Sequence, residues 1–377
     1  MRTLAIDLTF NPTGGTLAQV NQIIENLSSY DFDKILFYIT PDNRHLFREK
    51  NDKKIILKCV KFSNQSIILR TIWAQIVLPV LLVLNQVDLL FCPGNISPIF
   101  NSKRKVQCIH TIGPFEKDFV SYFSFKERLR FFIIKYLMIF SSYTSDMVIY
   151  DSNYTRDIFV KRYRQKIEKS SVIHSGNNNF FKPVDSKTSK VHADTDYKDY
   201  ILTVSHLYPY KNIEILIHSF NRLKLHERGI YILVAGTISD KKYHKKLQLL
   251  LDQYGISKYV IFLGRLEIKE LRELYSQCKI FVFTSPYENF AYTLIEAMCC
   301  ATPIIATNTT AMPESCGNAA LYFSPTSEKE LSECIMKYLN NEQVRLDFKK
   351  LALIKSKEYP TYSSVNSKIN NLFNQLF

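Results

Sequence analysis

Short, nearly continuous apolar runs alternate along the chain with longer segments whose apolar residues recur at helical spacing. The runs Thr3–Phe10, Lys34–Thr40, Ile55–Val60, Asp88–Pro93, Val106–Thr111, Met147–Ser152 and Ser171–Ser175 read as strands in the first half. A polar, unpatterned stretch, Pro183 to Asp199, interrupts the alternation. The pattern then resumes with Tyr200–Leu207, Tyr231–Ala235, Val260–Leu263, Ile280–Ser285, Pro303–Thr307 and Leu321–Ser324. Strands that are apolar on every residue are covered on both faces, which points to parallel sheets wrapped by helices. The expectation is α/β, with two tandem doubly wound Rossmann-like domains facing across a cleft. Residues 1–185 would form the first domain, 186–199 a linker, 200–355 the second domain, and 356–377 a terminal helix returning toward the first. Ligands in such sheets bind beyond the carboxyl ends of the strands, so functional residues are sought just after them.

The most apolar stretch, Ile67 to Phe91, is broken by Arg70, Gln75, Pro79, Asn85, Gln86 and Asp88 and is too short to cross a bilayer. It reads as a buried helix. The start, MRTLAIDLTF, reads as a strand and not as a secretion signal, so the expected location is the cytoplasm.

With 377 residues, 46% hydrophobic and 22% charged, the chain has enough apolar surface for two cores. Lys and Arg exceed Asp and Glu by 49 to 35, a surplus that calls for an anionic partner. The basic residues are dispersed and compose no nucleic-acid-binding module, which leaves nucleic acid a distant alternative. The surplus leans toward the first half. There Phe115 to Tyr143 interleaves Lys117, Lys126, Arg128, Arg130 and Lys135 with ten Phe and Tyr residues. That composition suits a helix lying on an anionic membrane, and equally an ordinary helix with a solvated basic face. The eight cysteines form no CxxC pair and read as reduced core residues, and neither HExxH nor a Walker A pattern occurs.

Gly14 and Gly15 stand between the first strand and a helical pattern, where backbone N–H groups can face an anion or a sugar. Past the strand IFVFTS, Glu288 and Glu296 are eight positions apart, about two turns of helix, which puts them on one face. A carboxylate at position 296 among Leu294, Ile295, Ala297 and Met298 needs a polar partner, and a ribose diol suits it. In VSHLYPYKN, Lys211 sits at a strand-to-helix junction, where a cation can neutralise a phosphate.

Taken together, Glu288…Glu296, VSHLYPYKN, FLGR (Phe262–Arg265), TPIIATN, MPESCGNAALYFSP and the amino-terminal glycine pair resemble the retaining GT-B glycosyltransferases of family 4. The resemblance covers nearly the whole chain and is strongest over residues 200–325. It implies transfer of a hexose, mannose by preference, from a nucleotide-diphosphate sugar (GDP-mannose or a UDP-hexose) to a lipid-linked or glycan acceptor. Configuration would be retained, and no metal or other cofactor would be needed. Bacterial O-antigen, capsule or lipopolysaccharide synthesis at the inner face of the cytoplasmic membrane would be the setting.

In that reading Glu288 contacts donor-sugar hydroxyls, Glu296 holds the ribose, and Lys211, aided by Arg265, holds the diphosphate. Backbone around Asn289, Phe290, Ala291 and Tyr292 faces the sugar, and that of Thr293 and Leu294 faces the phosphates. Gly14 and Gly15 approach the diphosphate, and His110 lies near the transferred sugar. Lys126, Arg128, Arg130 and Lys135 meet the membrane. The chain departs from the pattern at Ser205-His206, Asn289, Ala291, Ala301 and Thr111. A GT-B-type nucleotide-sugar epimerase or a sugar phosphorylase fits the same residues.

Overall fold

A computed structural model describes every residue except 1, 11, 13, 14, 28, 29, 48–51, 61–66, 178 and 185–196. The chain forms two compact units, Met1–Gly176 with Pro360–Phe377, and Asn177–Tyr359.

The first unit holds β1 (Thr3–Leu8), β2 (Lys34–Ile39), β3 (Ile55–Cys59), β4 (Leu89–Cys92), β5 (Arg104–Ile109), β6 (Met147–Tyr150) and β7 (Ser170–Val172). They pair in the order β3-β2-β1-β4-β5-β6-β7, every pair parallel. The second unit holds β8 (Tyr200–Val204), β9 (Tyr231–Ala235), β10 (Val260–Gly264), β11 (Ile280–Phe283), β12 (Ile304–Thr307) and β13 (Ala320–Phe323). Their order is β10-β9-β8-β11-β12-β13, again all parallel. Each strand lies where an apolar run predicts one. This is the doubly wound architecture, and the two Rossmann-like domains place the chain in the GT-B fold class.

The near-continuous apolar runs have the expected cause. Leu4, Ile6 and Leu8 of β1 pack into one core with Val20, Ile23 and Ile24 of helix Gly15–Glu25. Ala5, between them, faces the opposite layer with Trp73, Leu78 and Leu82. The terminal helix Tyr362–Asn374 completes the first of these cores through Val365, Ile369 and Phe373. Polar contacts fix its register: Tyr30 donates to Asn366 Oδ1 at 2.9 Å and Asn370 to Asp31 Oδ2 at 2.8 Å.

Three expectations change. The first unit ends at Gly176 and not at 185, because the following residues pack on the second unit: Val184 N donates to Ser276 Oγ at 3.2 Å and Arg272 Nε to the Lys182 carbonyl at 3.0 Å. Of the linker at 186–199, residues 186–196 lie outside the described residues, while Asp199 already pairs with Lys279 at 3.0 Å. The apolar segment Ile67–Leu84 is not a buried helix. It buries Trp73, Ala74, Leu78 and Leu82 but exposes Ile72, Ile76, Val77, Val80, Val83 and Leu84. A π turn at Trp73–Val77 precedes Pro79. Among the described residues, no helix is long and apolar enough to cross a membrane. The cysteines are unpaired, and six of the eight are buried, but Cys59 is exposed and Cys334 only half-buried.

Candidate active site

In the second sheet the strand order reverses between β8 and β11, and ligand crevices form at such a switch point. Lys211 follows β8 and Glu288 follows β11, so the topology brings them together from 77 residues apart. Lys211 Nζ forms an ion pair with Glu288 Oε1, and Ser285 Oγ donates to that same carboxylate oxygen at 2.8 Å. The lysine's turn is fixed from both sides. Thr284 Oγ1 donates to the Lys211 carbonyl at 2.6 Å, and Asn212, in the left-handed region at φ 54°, donates to the Pro325 carbonyl at 2.8 Å. Burial works against charge on Lys211, but Glu288 and then Tyr210 more than offset it and hold the ammonium above its usual pKa. Tyr210 stacks on Tyr208 with centroids 5.5 Å apart, and the Lys211 ammonium lies 5.2 Å from the Tyr210 centroid.

Glu296 lies on helix Tyr292–Cys299, after Glu288 in the same loop-to-helix passage. Burial raises its carboxyl pKa to about 7, against the lowering effect of the Tyr275 hydroxyl, which donates to Oε2 at 3.1 Å. Tyr275 is fully buried, and its own carbonyl accepts from Thr302 Oγ1 at 2.7 Å. No side chain caps the Glu296 helix at Ala291, which leaves backbone N–H groups of its first turn without a side-chain acceptor there.

The other residues expected from sequence to meet the donor are placed as follows. Asn289, Phe290 and Ala291 are buried, and the Phe290 ring packs against Tyr292 and Tyr359 with centroids 5.2 and 5.9 Å away. Thr293 is half-buried. The Leu294 N–H is not available to a phosphate, because it bonds the Ala291 carbonyl at 3.1 Å and closes the first helical turn. Arg265 is exposed after β10, and it and Lys211 both act electrostatically on His206, whose pKa is lowered first by burial and then by those two cations. Gly236 makes this loop possible: a Cβ there would lie 2.0 Å from the Ser205 carbonyl oxygen, and its φ is +141°.

In the first unit His110 follows β5 and Asp151 follows β6, neighbouring strands whose ends lie side by side. His110 Nδ1 is 2.8 Å from Asp151 Oδ2, and the His110 N–H donates to Asn95 Oδ1 at 2.6 Å. Gln19 Nε2 donates both to Asp151 Oδ1 at 3.0 Å and to Ser175 Oγ at 2.7 Å. In the neutral tautomer that donates Nδ1–H to the carboxylate, Nε2 carries the lone pair. It is buried with no hydrogen-bond partner among the described residues. Helix Gly15–Glu25 opens at Gly15, whereas Gly14 lies outside the described residues.

The sequence singles out Lys211, Glu288, Glu296 and His110 but not the side chains they meet in the fold, Asp151, Asn95 and Tyr275. Each of the first two follows a buried strand, a position where a lone polar residue is a signal. Tyr275 carries none, since its hydroxyl finds Glu296 only across the packed core. The triplet Asp31-Phe32-Asp33 has the spacing of a metal-bridged diphosphate site; in the fold Asp31 accepts from Asn370 and Asn374, and Asp33 from the Arg2 N–H at 2.7 Å. A second such triplet, Asp194-Thr195-Asp196, lies outside the described residues. Among the described residues no group of three or more His, Cys, Asp or Glu is placed to hold a metal ion.

Of the membrane residues proposed from sequence, Lys126 and Arg130 are exposed on helix Phe125–Tyr143. Arg128 is exposed but tied to the Phe123 and Ser121 carbonyls at 2.8 and 2.6 Å. Lys135 departs from the expectation: it is half-buried, 5.7 Å from the centroids of both Phe115 and Tyr163, because its stem continues toward the buried side of the helix.

Residues 185–353 match the family described as Glycosyl transferases group 1. The chain is 31% identical over 162 residues to the serotype-specific mannosyltransferase WbdA of Escherichia coli, covering 43% of this chain and 20% of WbdA. It is 29% identical over 254 residues to the O-antigen chain mannosyltransferase RfbU of Salmonella typhimurium, covering 64% of this chain and 65% of RfbU. The chain thus spans about one fifth of the length of WbdA. Among solved structures, HepE of Anabaena in complex with UDP superimposes with a TM-score of 0.76 over the whole of both chains at 19% identity, a likeness of fold.

Proposed function

We propose that this protein is a retaining glycosyltransferase of family 4 that transfers a hexose, mannose by preference, from a nucleotide-diphosphate sugar to a lipid-linked or glycan acceptor. The observation that carries the reading is the Lys211–Glu288 pair at the strand-order switch of the second sheet, one helix start away from the half-buried Glu296. The mannosyltransferase names of WbdA and RfbU support the choice of sugar, and the UDP complex of HepE supports a nucleotide donor.

In this mechanism the acceptor hydroxyl oxygen bonds to the anomeric carbon on the face from which the diphosphate departs. The bond between that carbon and the phosphate oxygen breaks, and the departing phosphate takes the hydroxyl proton. Lys211, with Arg265, stabilises the negative charge gathering on the leaving group. Glu288, oriented by Lys211 and Ser285, accepts hydrogen bonds from sugar hydroxyls, and Glu296 accepts from the ribose. No enzyme nucleophile is needed, unlike the paired carboxylates of retaining glycosidases. His110 is assigned to the transferred sugar through its unpartnered Nε2. The positive charge the diphosphate needs comes from side chains, so the proposal includes no metal. Acting at the inner face of the cytoplasmic membrane, the enzyme would rest its basic helix Phe125–Tyr143 on anionic lipid.

The test is a panel of GDP- and UDP-sugars assayed for donor turnover with and without EDTA, with the product anomer read by NMR. Turnover of GDP-mannose, unchanged by EDTA and giving the α-anomer, is expected. Turnover that survives both Lys211→Ala and Glu288→Ala within a few-fold would overturn the assignment. Conversion of donor to its epimer without acceptor would reassign the site to an epimerase.

A further inference from the structure

The first unit exposes apolar surface far beyond its basic helix. On helix Phe125–Tyr143 the outward stripe is Phe125, Leu129, Phe132, Ile133, Tyr136 and Phe140, at spacings that keep it on one face. Lys126 and Arg130 flank one side of that stripe and Arg128 the other. The segment Ile67–Leu84 presents a second stripe, Ile72, Ile76, Val80 and Val83 with Leu84, and no charged residue belongs to it.

Sheet geometry makes the two stripes neighbours. Leu90 and Cys92 of β4 lie beneath the segment Ile67–Leu84, and Ile109, Val148 and Tyr150 lie beneath helix Phe125–Tyr143. The pairings Cys92 with Gln107, Gln107 with Val148 and Ile109 with Tyr150 put all of these side chains on one face of the sheet. Phe100, 82% exposed, directly follows residues 97–99, which are tied to both helices. Gln75 of one accepts from the Ile99 N–H at 2.8 Å and donates to the Ser97 carbonyl at 3.1 Å. Lys105 ties the Pro98 carbonyl to Thr144, at the end of the other, donating to its Oγ1 at 2.7 Å.

We propose that Ile76, Val80, Leu84 and Phe100 form a charge-free embedding edge that enters the acyl boundary of a bilayer, while the basic helix beside it supplies the separate, charge-dependent contact. The inference rests on the reading of the basic helix as membrane-facing and assigns that surface a second, independent half. Charge selects the bilayer over a second copy of the chain. Residues 101–170 carry 14 basic and 7 acidic side chains, and a two-fold contact through this face would set like charges around it. Trp73, Leu78 and Leu82 are anchored in the core, so the helix lies along the surface and does not cross.

The full chain is floated with vesicles of phosphatidylcholine alone and of phosphatidylcholine with phosphatidylglycerol. Ile76→Ser/Val80→Ser/Leu84→Ser is expected to weaken binding to both by about tenfold or more, whereas Lys126→Gln/Arg130→Gln removes only the gain from phosphatidylglycerol. Because Trp73 is the sole tryptophan, the Phe100→Trp emission change on adding vesicles gives a second reading: a blue shift is expected in both lipid mixtures. If the triple variant floats like the wild type, or Phe100→Trp shows no shift, the embedding edge is wrong while the basic helix stands. Failure of the wild type to bind either vesicle overturns both readings. Sedimentation showing a wild-type dimer that the triple variant dissociates, with flotation unchanged, assigns the face to a second copy.

Discussion

The two units are nearly equal in size and share one architecture, yet they treat apolar surface in opposite ways. Among the described residues, 19 of the exposed large apolar side chains belong to the first unit and 5 to the second. In the second unit those five are scattered, as on any soluble surface. In the first they concentrate on two adjacent helices of one layer. Polar chemistry is distributed the other way. The second unit gathers Lys211, Glu288, Glu296, His206 and Arg265 beyond the ends of its strands, and the first has the pair His110–Asp151 with its supports. A doubly wound domain can therefore hold its chemistry at the strand ends and leave a helix layer free for another task, since the two surfaces share no residues.

The largest expected effect tests the chemical side of that contrast. Lys211→Ala should lower kcat by about two to three orders of magnitude, because the diphosphate loses its main cation and Glu288 its partner. The serine substitutions on the apolar edge should leave turnover of a soluble donor within about twofold. Similar losses in both would break the separation of the two surfaces.

Asp151→Asn asks how much the first unit contributes to the reaction. It should lower kcat by about tenfold or more with little change in donor KM, because His110 then no longer keeps its proton on Nδ1. A change confined to KM would make the pair structural. Gly236→Ala should destabilise the second unit by about 2–4 kcal/mol in thermal or urea unfolding, since the new Cβ meets the Ser205 carbonyl in a conformation only glycine takes readily.

Glu296→Gln links stability to pH. The folded carboxyl titrates near 7, above the ordinary 4.5, so its contribution to stability is full below about pH 4.5 and is lost as pH rises through 7. Removing the charge should therefore stabilise the protein by about 1–3 kcal/mol near pH 8 and much less near pH 5, while weakening donor binding. An equal change in Tm at both pH values would show that burial does not penalise the carboxylate. The smallest effect is expected for Lys126→Gln/Arg130→Gln, whose folding stability should stay within about 0.5 kcal/mol of wild type, as both side chains are solvated.

Much of this was legible from residue order. Strand positions follow from runs of apolar residues because a parallel strand is covered on both faces, and Glu288 and Glu296 stand out because a carboxylate amid Leu294, Ile295 and Met298 needs a reason. The expectation for Ile67–Leu84 failed for a definite cause: with only Arg70 and Gln75 as strongly polar residues, the segment gives little indication of which face the sheet will cover. The role given to Leu294 failed because closing a first helical turn uses the N–H that a phosphate would need.

The sequence by itself determined the two parallel sheets, the strand ends where chemistry gathers, and the residue types placed there, since these depend on local pattern and on the cost of burying charge. Tertiary structure alone decided that Asp151 sits on His110, that Tyr275 donates to Glu296, that Lys135 turns toward Phe115 and Tyr163, and that one apolar helix keeps half its surface outside. Each of these depends on the register and width of a sheet assembled from distant segments, which no window of the chain contains.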